Sequence, residues 1–232
     1  MVSRGKRAIE DYFTPDNSYL SLLVSRKLDK KVKELESFYN KIYNSRIFFI
    51  NQPEPKGFGD AVLRAESFVG YSNFIVHAGD DIILSKDNSY LKKLIGVFHK
   101  YNSEVTLLVE EIEDPRKYGV IVPKPLSSEK DVYRIMDIIE KPEVPPSNYA
   151  VIGIYVFTPK IFSALKRIKP DSRGELQLTD AIRELVKEGY NAYAVKLGEN
   201  ERRVDIGTPQ SYYNALEATY KFSLSLKGEK CD

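Results

Sequence analysis

The amino-acid sequence predicts an α/β fold of packed layers around a mixed, largely parallel sheet. Two patterns support this prediction. Short apolar runs alternate with amphipathic helical segments in the first half of the chain, an arrangement typical of sheets covered by helices. From Gly119 onward, apolar runs follow one another through proline-containing loops, which indicates β-rich structure packed on the same sheet. The 232 residues are enough for one large domain with a sizeable core.

Hydrophobic periodicity assigns each element in turn. Leu28, Val32 and Leu35 recur at helical spacing, whereas the short continuous run Ile-Phe-Phe-Ile within 46–51 is typical of a buried strand. Thr208 is a suitable N-cap for the last helix. Helices are predicted over 6–13, 20–24, 28–43, 57–68, 90–101, 159–166, 178–187 and 209–225, and strands over 46–51, 73–78, 104–111, 119–123, 132–139, 151–157 and 190–196.

Composition excludes several classes of protein. Charged residues make up 29% of the chain, but the formal net charge is only +2 and no run of lysine and arginine dominates, so we expect no nucleic-acid partner. No stretch is apolar for the length of a membrane helix, and no apolar signal-peptide core follows the basic N-terminus, so we expect no membrane partner. The one cysteine, Cys231, has no partner for an internal disulfide. We therefore expect a cytoplasmic protein.

Asp80 and Asp205 are the first candidate ligand pair. Each follows a short apolar run, and ligands of α/β sheets bind near the carboxyl ends of strands. Two carboxylates at strand ends suit Mg²⁺, which prefers one or two carboxylates together with phosphate and water oxygens. Taken in isolation, Asp80 and Asp81 are more simply interpreted as the beginning of a loop.

A second candidate is the polar loop that begins at Gln52. A glutamine side chain offers both donors and an acceptor, so it can recognise the edge of a nucleotide base. Gly57 and Gly59 would allow the backbone to approach a flat ring closely. The alternative is an ordinary turn between a strand and a helix.

A third candidate is the motif Glu140-Lys141-Pro142. The carboxylate can accept hydrogen bonds from sugar hydroxyls, and the ammonium can neutralise a phosphate. Neighbouring side chains in a strand point to opposite faces, so both groups line one site only if the strand ends or bulges at this point. The alternative is a surface ion pair before a turn.

Taken together, the motifs resemble one known family. The segment 5–13, Gly-Lys-Arg-Ala-Ile-Glu-Asp-Tyr-Phe, is specific to one of its branches, and the remaining motifs follow in register. Nearly the whole chain resembles the prokaryotic-type UTP–glucose-1-phosphate uridylyltransferases, also called UDP-glucose pyrophosphorylases. The segments that carry the resemblance are 5–13, 52–63, 79–81, 118–120, 140–142, 147–153, 174–180 and 203–208.

The resemblance implies a Rossmann-like nucleotidyltransferase fold with a β-rich sugar-binding half. It also implies that glucose-1-phosphate attacks the α-phosphorus of UTP, giving UDP-glucose and pyrophosphate, with Mg²⁺ as cofactor. We expect one domain over 1–226, divided into a nucleotide-binding half (1–118), a sugar-binding half (119–208) and a C-terminal helix (209–226), with a tail over 227–232.

The resemblance also assigns roles to single residues. Lys141 and Asp80 are expected to be catalytic, with Lys141 against the phosphates, and Asp80 and Asp205 are expected to bind the metal. The expected substrate-binding residues are Gln52 and Gly57 for uracil, Gly119, Glu140 and Val151 for the sugar or nearby nucleotide, and Lys141 for phosphate.

The family also has a glycine-rich phosphate loop, which would stand ahead of Gly5, and this sequence does not contain it. Backbone amides of such a loop hold phosphates, and loss of a single aligned donor typically costs about a hundredfold in rate. We therefore expect this chain to be a truncated form with weak or no activity, and a homo-oligomer could cover the strand edges. Two alternatives remain: a non-catalytic UDP-sugar-binding or regulatory relative, and a thymidylyltransferase-type pyrophosphorylase for another sugar-1-phosphate.

Overall fold

Three helices form the first of two compact units in the computed structural model, which describes residues 1–227. This unit, Met1–Pro55, contains α1 (Arg7–Tyr12), α2 (Asn17–Ser25) and α3 (Asp29–Tyr43). The Asp16 carboxylate caps α2 by accepting the Ser18 N–H at 2.9 Å. The buried Tyr39 of α3 ties the two helices together, because its hydroxyl accepts the Asp16 N–H at 2.8 Å. The three predicted helices are confirmed.

The prediction of a strand over 46–51 is wrong. Residues 46–50 have no regular secondary structure, and Asn51 makes only an isolated parallel bridge to Val2. Phe48 is 59% exposed, although the apolar run predicts burial. A strand needs neighbours to satisfy its backbone hydrogen bonds, and this unit contains no regular strand that could pair with the segment.

The second unit begins at Lys56 and is built on two sheets. Its strands are β1 (Phe74–His77), β2 (Asp81–Leu84), β3 (Val105–Glu111), β4 (Gly119–Pro125), β5 (Val132–Glu140), β6 (Tyr149–Phe157), β7 (Ala192–Lys196) and β8 (Arg202–Asp205). Its helices are α4 (Phe58–Leu63), α5 (Glu66–Val69), α6 (Ser89–Lys100), α7 (Lys160–Arg167), α8 (Leu178–Lys187) and α9 (Pro209–Lys227).

Six strands form a mixed sheet in the order β1-β6-β3-β7-β5-β4, which confirms the α/β class. The expectation of a largely parallel sheet is wrong: among the described strands only β3 and β7 pair in parallel, and the other pairs are antiparallel. Continuous apolar runs are typical of parallel strands buried on both faces, but here the antiparallel strand β6 is also buried on both faces, so the runs do not decide strand direction. The edge strand β1 is less buried than predicted, with Ile75 46% exposed.

Helices cover both faces of this sheet. In β3, Leu107 and Val109 pack in a core with α7 and α8, whereas the intervening Leu108 faces α6 and packs in a core with Phe98. This alternation is the period-two pattern of a strand buried on both sides. The single helix predicted over 57–68 is interrupted after Leu63 and continues as α5.

β2 and β8 form a separate antiparallel ribbon. The helix α9 lies along it, with Ala215 and Ala218 packed against Leu84 and Val204. β2 occupies a segment for which the sequence predicts no strand, so Asp81 begins a strand and not a loop. The ribbon therefore places Asp81 directly opposite Asp205.

The division into nucleotide-binding and sugar-binding halves stays a prediction. The predicted tail lies outside the described residues, apart from Lys227, which ends α9. Among the helices of residues 1–227, none combines the length and the apolar character needed to cross a membrane.

Candidate active site

The end of β5 brings two predicted site residues together. Glu140 is the last residue of the strand, and Lys141 has a φ of +42°, which ends the extended conformation. The Lys141 N–H donates to the Tyr118 carbonyl at 3.0 Å and holds this turn. As a result the Lys141 Nζ lies 3.5 Å from Glu140 Oε1. The strand thus ends where a shared site requires it to end.

Glu140 is surrounded by residues from three other elements. Gly119 lies opposite it in the β4–β5 ladder, and the Thr179 hydroxyl at the start of α8 donates to Glu140 Oε2 at 2.8 Å. A Cβ atom on Gly119 would lie 2.7 Å from Thr179 Cγ2, 3.3 Å from Glu140 Oε2 and 3.6 Å from a methyl of Val151. The predicted residues Gly119, Glu140 and Val151 therefore form one cluster, and glycine is required for the close packing.

Negative charge accumulates around this cluster. Burial raises the pKa of Asp180, and the neighbouring Glu140 raises it further. Burial also raises the pKa of Tyr155, with smaller contributions from the charges of Glu140 and Asp81, so its hydroxyl stays protonated. This environment favours groups that bring positive charge or hydrogen-bond donors, such as Lys141 and the hydroxyls of a sugar.

Thr179 and Asp180 are missing from the residues predicted by sequence. Both lie in the segment 174–180, which carries part of the family resemblance, but its residue types alone indicate no chemical role. Their position in the first turn of α8, facing a carboxylate on β5, depends on the tertiary structure. The family resemblance of the segment 174–180 is the signal in the sequence that points to Thr179 and Asp180.

The predicted metal ligands come together at one end of the β2–β8 ribbon. The Ile206 N–H donates to the Asp80 carbonyl at 3.0 Å, which joins the residue before β2 to the residue after β8. Asp80 is exposed, and Asp205 is partly exposed with its Oδ1 accepting the Gly207 N–H at 3.2 Å. Both carboxylates therefore belong to the same end of the ribbon and remain accessible.

These residues fit a divalent cation that is bound together with its substrate. Within residues 1–227, no group of three or more His, Cys, Asp or Glu side chains could hold a metal by itself. Asp80, just before β2, and Asp205, the last residue of β8, match the way in which Mg²⁺ is held by one or two carboxylates while phosphate and water oxygens complete its coordination.

Gly57 and Gly59 approach part of the chain itself. Gly57 has a φ of +92°, and a Cβ there would lie 2.8 Å from the Leu176 carbonyl oxygen. The Gly59 N–H donates to the same oxygen at 2.9 Å. The close approach that these glycines allow is therefore to the segment before α8, and contact between Gly57 and a base stays a prediction.

Gln52 belongs to the first unit, whereas the other predicted site residues belong to the second. Within the first unit its N–H donates to the Val2 carbonyl at 2.8 Å. Its role in recognising uracil stays a prediction.

Comparison with known proteins agrees with this fold. A sequence model of the family described as "Nucleotidyl transferase" matches residues 21–221, which defines the class as nucleotidyltransferase. The chain is 39% identical to the UTP–glucose-1-phosphate uridylyltransferase of Bacillus subtilis (strain 168), over 98% of this chain and 75% of the relative. It is 36% identical to the enzyme of the same name from Mycoplasma genitalium, over 93% of this chain and 72% of the relative.

A solved structure gives the same result. The crystal structure of a UDP-glucose pyrophosphorylase complexed with UDP-glucose has a TM-score of 0.80 and 36% identity to this chain, over 94% of this chain and 78% of that one. The chain therefore belongs to the nucleotidyl transferase family, in the branch of the prokaryotic-type UTP–glucose-1-phosphate uridylyltransferases. Enzymes of this family generally use a divalent metal.

Proposed function

We propose that this protein transfers the uridylyl group of UTP to glucose-1-phosphate, forming UDP-glucose and pyrophosphate. The observation that carries the proposal is the cluster at the end of β5, where Gly119, Glu140, Lys141 and Val151 meet. The 36% identity to a UDP-glucose pyrophosphorylase whose structure contains UDP-glucose supports the choice of substrates.

The reaction forms one P–O bond and breaks another. A phosphate oxygen of glucose-1-phosphate attacks the α-phosphorus of UTP, and the oxygen that bridges the α- and β-phosphates leaves with pyrophosphate. Phosphoryl transfer of this kind depends on alignment and charge neutralisation more than on covalent help from the protein. The side chains of the site are suited to both tasks.

The residues at the end of β5 divide these tasks. Glu140 accepts hydrogen bonds from sugar hydroxyls, and Thr179 fixes the orientation of its carboxylate. Lys141 is 48% exposed at its side chain, so its ammonium can reach a phosphate oxygen and stabilise the charge that develops there. Gly119 and Val151 shape the surface against which the sugar lies.

Asp80 and Asp205 would hold Mg²⁺ at the end of the ribbon, where the ion would supply neutralisation of phosphate charge. The predicted roles of Gln52 and Gly57 in binding uracil complete the proposal. A cytoplasmic location and a homo-oligomeric state remain predictions.

A single assay tests the proposal. Pyrophosphate release is measured for the chain with UTP, glucose-1-phosphate and Mg²⁺, beside the variants Asp80→Ala and Asp87→Ala. Asp87 is an exposed carboxylate that bonds the start of α6, so it serves as a matched control. Because the sequence does not contain the glycine-rich phosphate loop, we expect only weak release by the wild type, with a further loss of about a hundredfold in Asp80→Ala and no loss in Asp87→Ala.

Absence of release by the wild type, or equal release by both variants, would contradict the proposal. Replacing UTP by dTTP in the same assay separates a uridylyltransferase from a thymidylyltransferase. Tight binding of UDP-glucose without any release would instead support the non-catalytic alternative.

A further inference from the structure

A buried ion pair lies behind the accessible end of the ribbon. The Arg203 Nε on β8 donates to Asp81 Oδ1 on β2 at 2.5 Å, and the two side chains are only 10% and 8% exposed. Arg203 Nη1 is also 3.9 Å from a carboxylate oxygen of Glu110 on β3. Its guanidinium carbon lies 4.9 Å from the centre of the Tyr118 ring. One guanidinium thus contacts three separate parts of the second unit.

The second carboxylate oxygen of Asp81 attaches the ribbon to the main sheet. It accepts the Gly153 N–H at 2.8 Å. This donor is available because the β3–β6 register shifts between Leu107 and Val109, where β6 bulges around Gly153. A Cβ on Gly153 would lie 2.5 Å from Ala78 Cβ and 2.7 Å from Asp81 Oδ2, so only glycine fits.

Tyr118 connects the ion pair to the end of β5. Its ring lies against Arg203, and its carbonyl accepts the N–H of Lys141, which holds the left-handed turn at that residue. On the ribbon, Arg203 and Asp205 are two residues apart in a strand and therefore share a face. Arg203 accordingly lies between the two groups of candidate site residues.

We infer that Arg203 is a positioning residue that couples the carboxylates of the ribbon end to Lys141 at the end of β5. The inference rests on the proposed function for its catalytic meaning. Three properties of the side chain support it. A guanidinium can bond a carboxylate and stack on a ring at the same time, which an ammonium cannot reproduce. A charge this deeply buried must keep its partners, so the contacts are maintained together. The contacts also reach both groups of candidate site residues, because Asp81 is adjacent to Asp80 in the chain and the Tyr118 carbonyl accepts the Lys141 N–H.

The coupling predicts that a change at Arg203 disturbs two distant backbone bonds. These are the Ile206 N–H bond to the Asp80 carbonyl and the Lys141 N–H bond to the Tyr118 carbonyl. In the ¹⁵N-labelled full chain without ligand, residue-resolved amide hydrogen exchange is measured by NMR for Arg203→Lys and Arg203→Met. We expect exchange at both amides to rise by about tenfold.

Arg202→Lys is the matched control, since it is the same change at the neighbouring, exposed position of β8. We expect no change at either amide in this variant. Arg203→Lys keeps the buried charge and therefore supplies a folded variant if Arg203→Met unfolds. An increase at Ile206 alone, at Lys141 alone or at neither would overturn the inference.

Kinetics separate positioning from general stability. We expect Arg203→Lys to lower kcat by about a hundredfold, because small displacements of aligned groups have effects of that size, while KM for UTP changes by less than about threefold. A wild type that shows the coupled exchange but releases no pyrophosphate would contradict the proposed function and leave the coupling intact. An active wild type whose Arg203→Lys variant behaves as Arg202→Lys would overturn the coupling and leave the function intact.

Discussion

The end of β5 and the end of the β2–β8 ribbon both present candidate ligand groups, but different forces hold them in place. At the end of β5, Gly119 and Thr179 pack against Glu140, with one hydroxyl donor to the carboxylate. In the ribbon, the buried pair of Asp81 and Arg203 supplies the connection to the sheet. Substitutions that change side-chain volume should therefore have the larger effect at the end of β5, and substitutions that change side-chain charge should have the larger effect in the ribbon.

The largest effect is expected from a methyl group in the tightly packed region. In Gly119→Ala, the new Cβ would lie 2.7 Å from Thr179 Cγ2, a separation that requires Thr179 or the strand to move. Since the Thr179 hydroxyl orients Glu140, we expect kcat/KM for glucose-1-phosphate to fall by more than about tenfold. Stability should fall by about 1–3 kcal/mol. Steady-state kinetics and urea denaturation measure the two effects.

A second change tests the steric explanation. Thr179→Ser removes the methyl group that meets the new Cβ but keeps the hydroxyl, so Gly119→Ala/Thr179→Ser should recover most of the lost activity. Gly96→Ala is the matched control, because nothing besides the backbone of its own helix and its chain neighbours lies within 4 Å of the Cβ position, and the residue is inside α6. It should be neutral or stabilise by about 0.5–1 kcal/mol. A double variant as impaired as Gly119→Ala would contradict this account.

A smaller effect is expected when the hydroxyl donor alone is removed. Thr179→Val keeps the shape of the side chain but leaves Glu140 Oε2 without this donor. Hydrogen bonds to charged groups contribute about 1.5–3 kcal/mol, so we expect KM for glucose-1-phosphate to rise by about tenfold with little change in kcat. Thr158→Val is the control, since Thr158 Oγ1 is buried and has no hydrogen-bond partner among the described residues. An equal effect of both variants would show that Thr179 does not orient Glu140.

The two regions also differ in how much of each can be predicted from the sequence. Glu140 and Lys141 are adjacent in the chain and precede a proline, so both their chemistry and the end of the strand could be predicted. Gly119 and Val151 are predicted only through the family resemblance. Their contact depends on pairing between β4, β5 and β6, which the local sequence does not specify.

The ribbon was harder to predict for a physical reason. Asp81 and Arg203 are 122 residues apart, and neither belongs to a local pattern that indicates burial of a charge. β2 and β8 have four residues each, too few for a clear periodic signal. Each strand of this short ribbon is stabilised by its partner strand and by the ion pair of Asp81 and Arg203. Both interactions form only in the folded chain.

The other end of the ribbon is also held by charge. Glu201, just before β8, accepts hydrogen bonds from the Ser85 hydroxyl at 3.0 Å, the Ser89 hydroxyl at 2.6 Å and the Tyr90 N–H at 2.8 Å. Its second oxygen accepts the Gly198 N–H at 3.2 Å. Burial alone would raise the pKa of Glu201, but these donors outweigh burial and lower it. The carboxylate therefore joins the ribbon to the start of α6.

This carboxylate gives the ribbon an acid-sensitive connection. Because the folded-state pKa of Glu201 lies below its unfolded value of about 4.3, its stabilising effect is complete above that value and is lost as pH falls through the folded pKa. We expect Glu201→Gln to lower the free energy of unfolding by about 1–2 kcal/mol at neutral pH. The difference from wild type should shrink below about pH 4, whereas the difference for Gly119→Ala, which is steric, should not. Urea denaturation of the three proteins between pH 7 and pH 3 measures both trends, and a pH-independent deficit in Glu201→Gln would show that the bonds made by Glu201 do not depend on its charge.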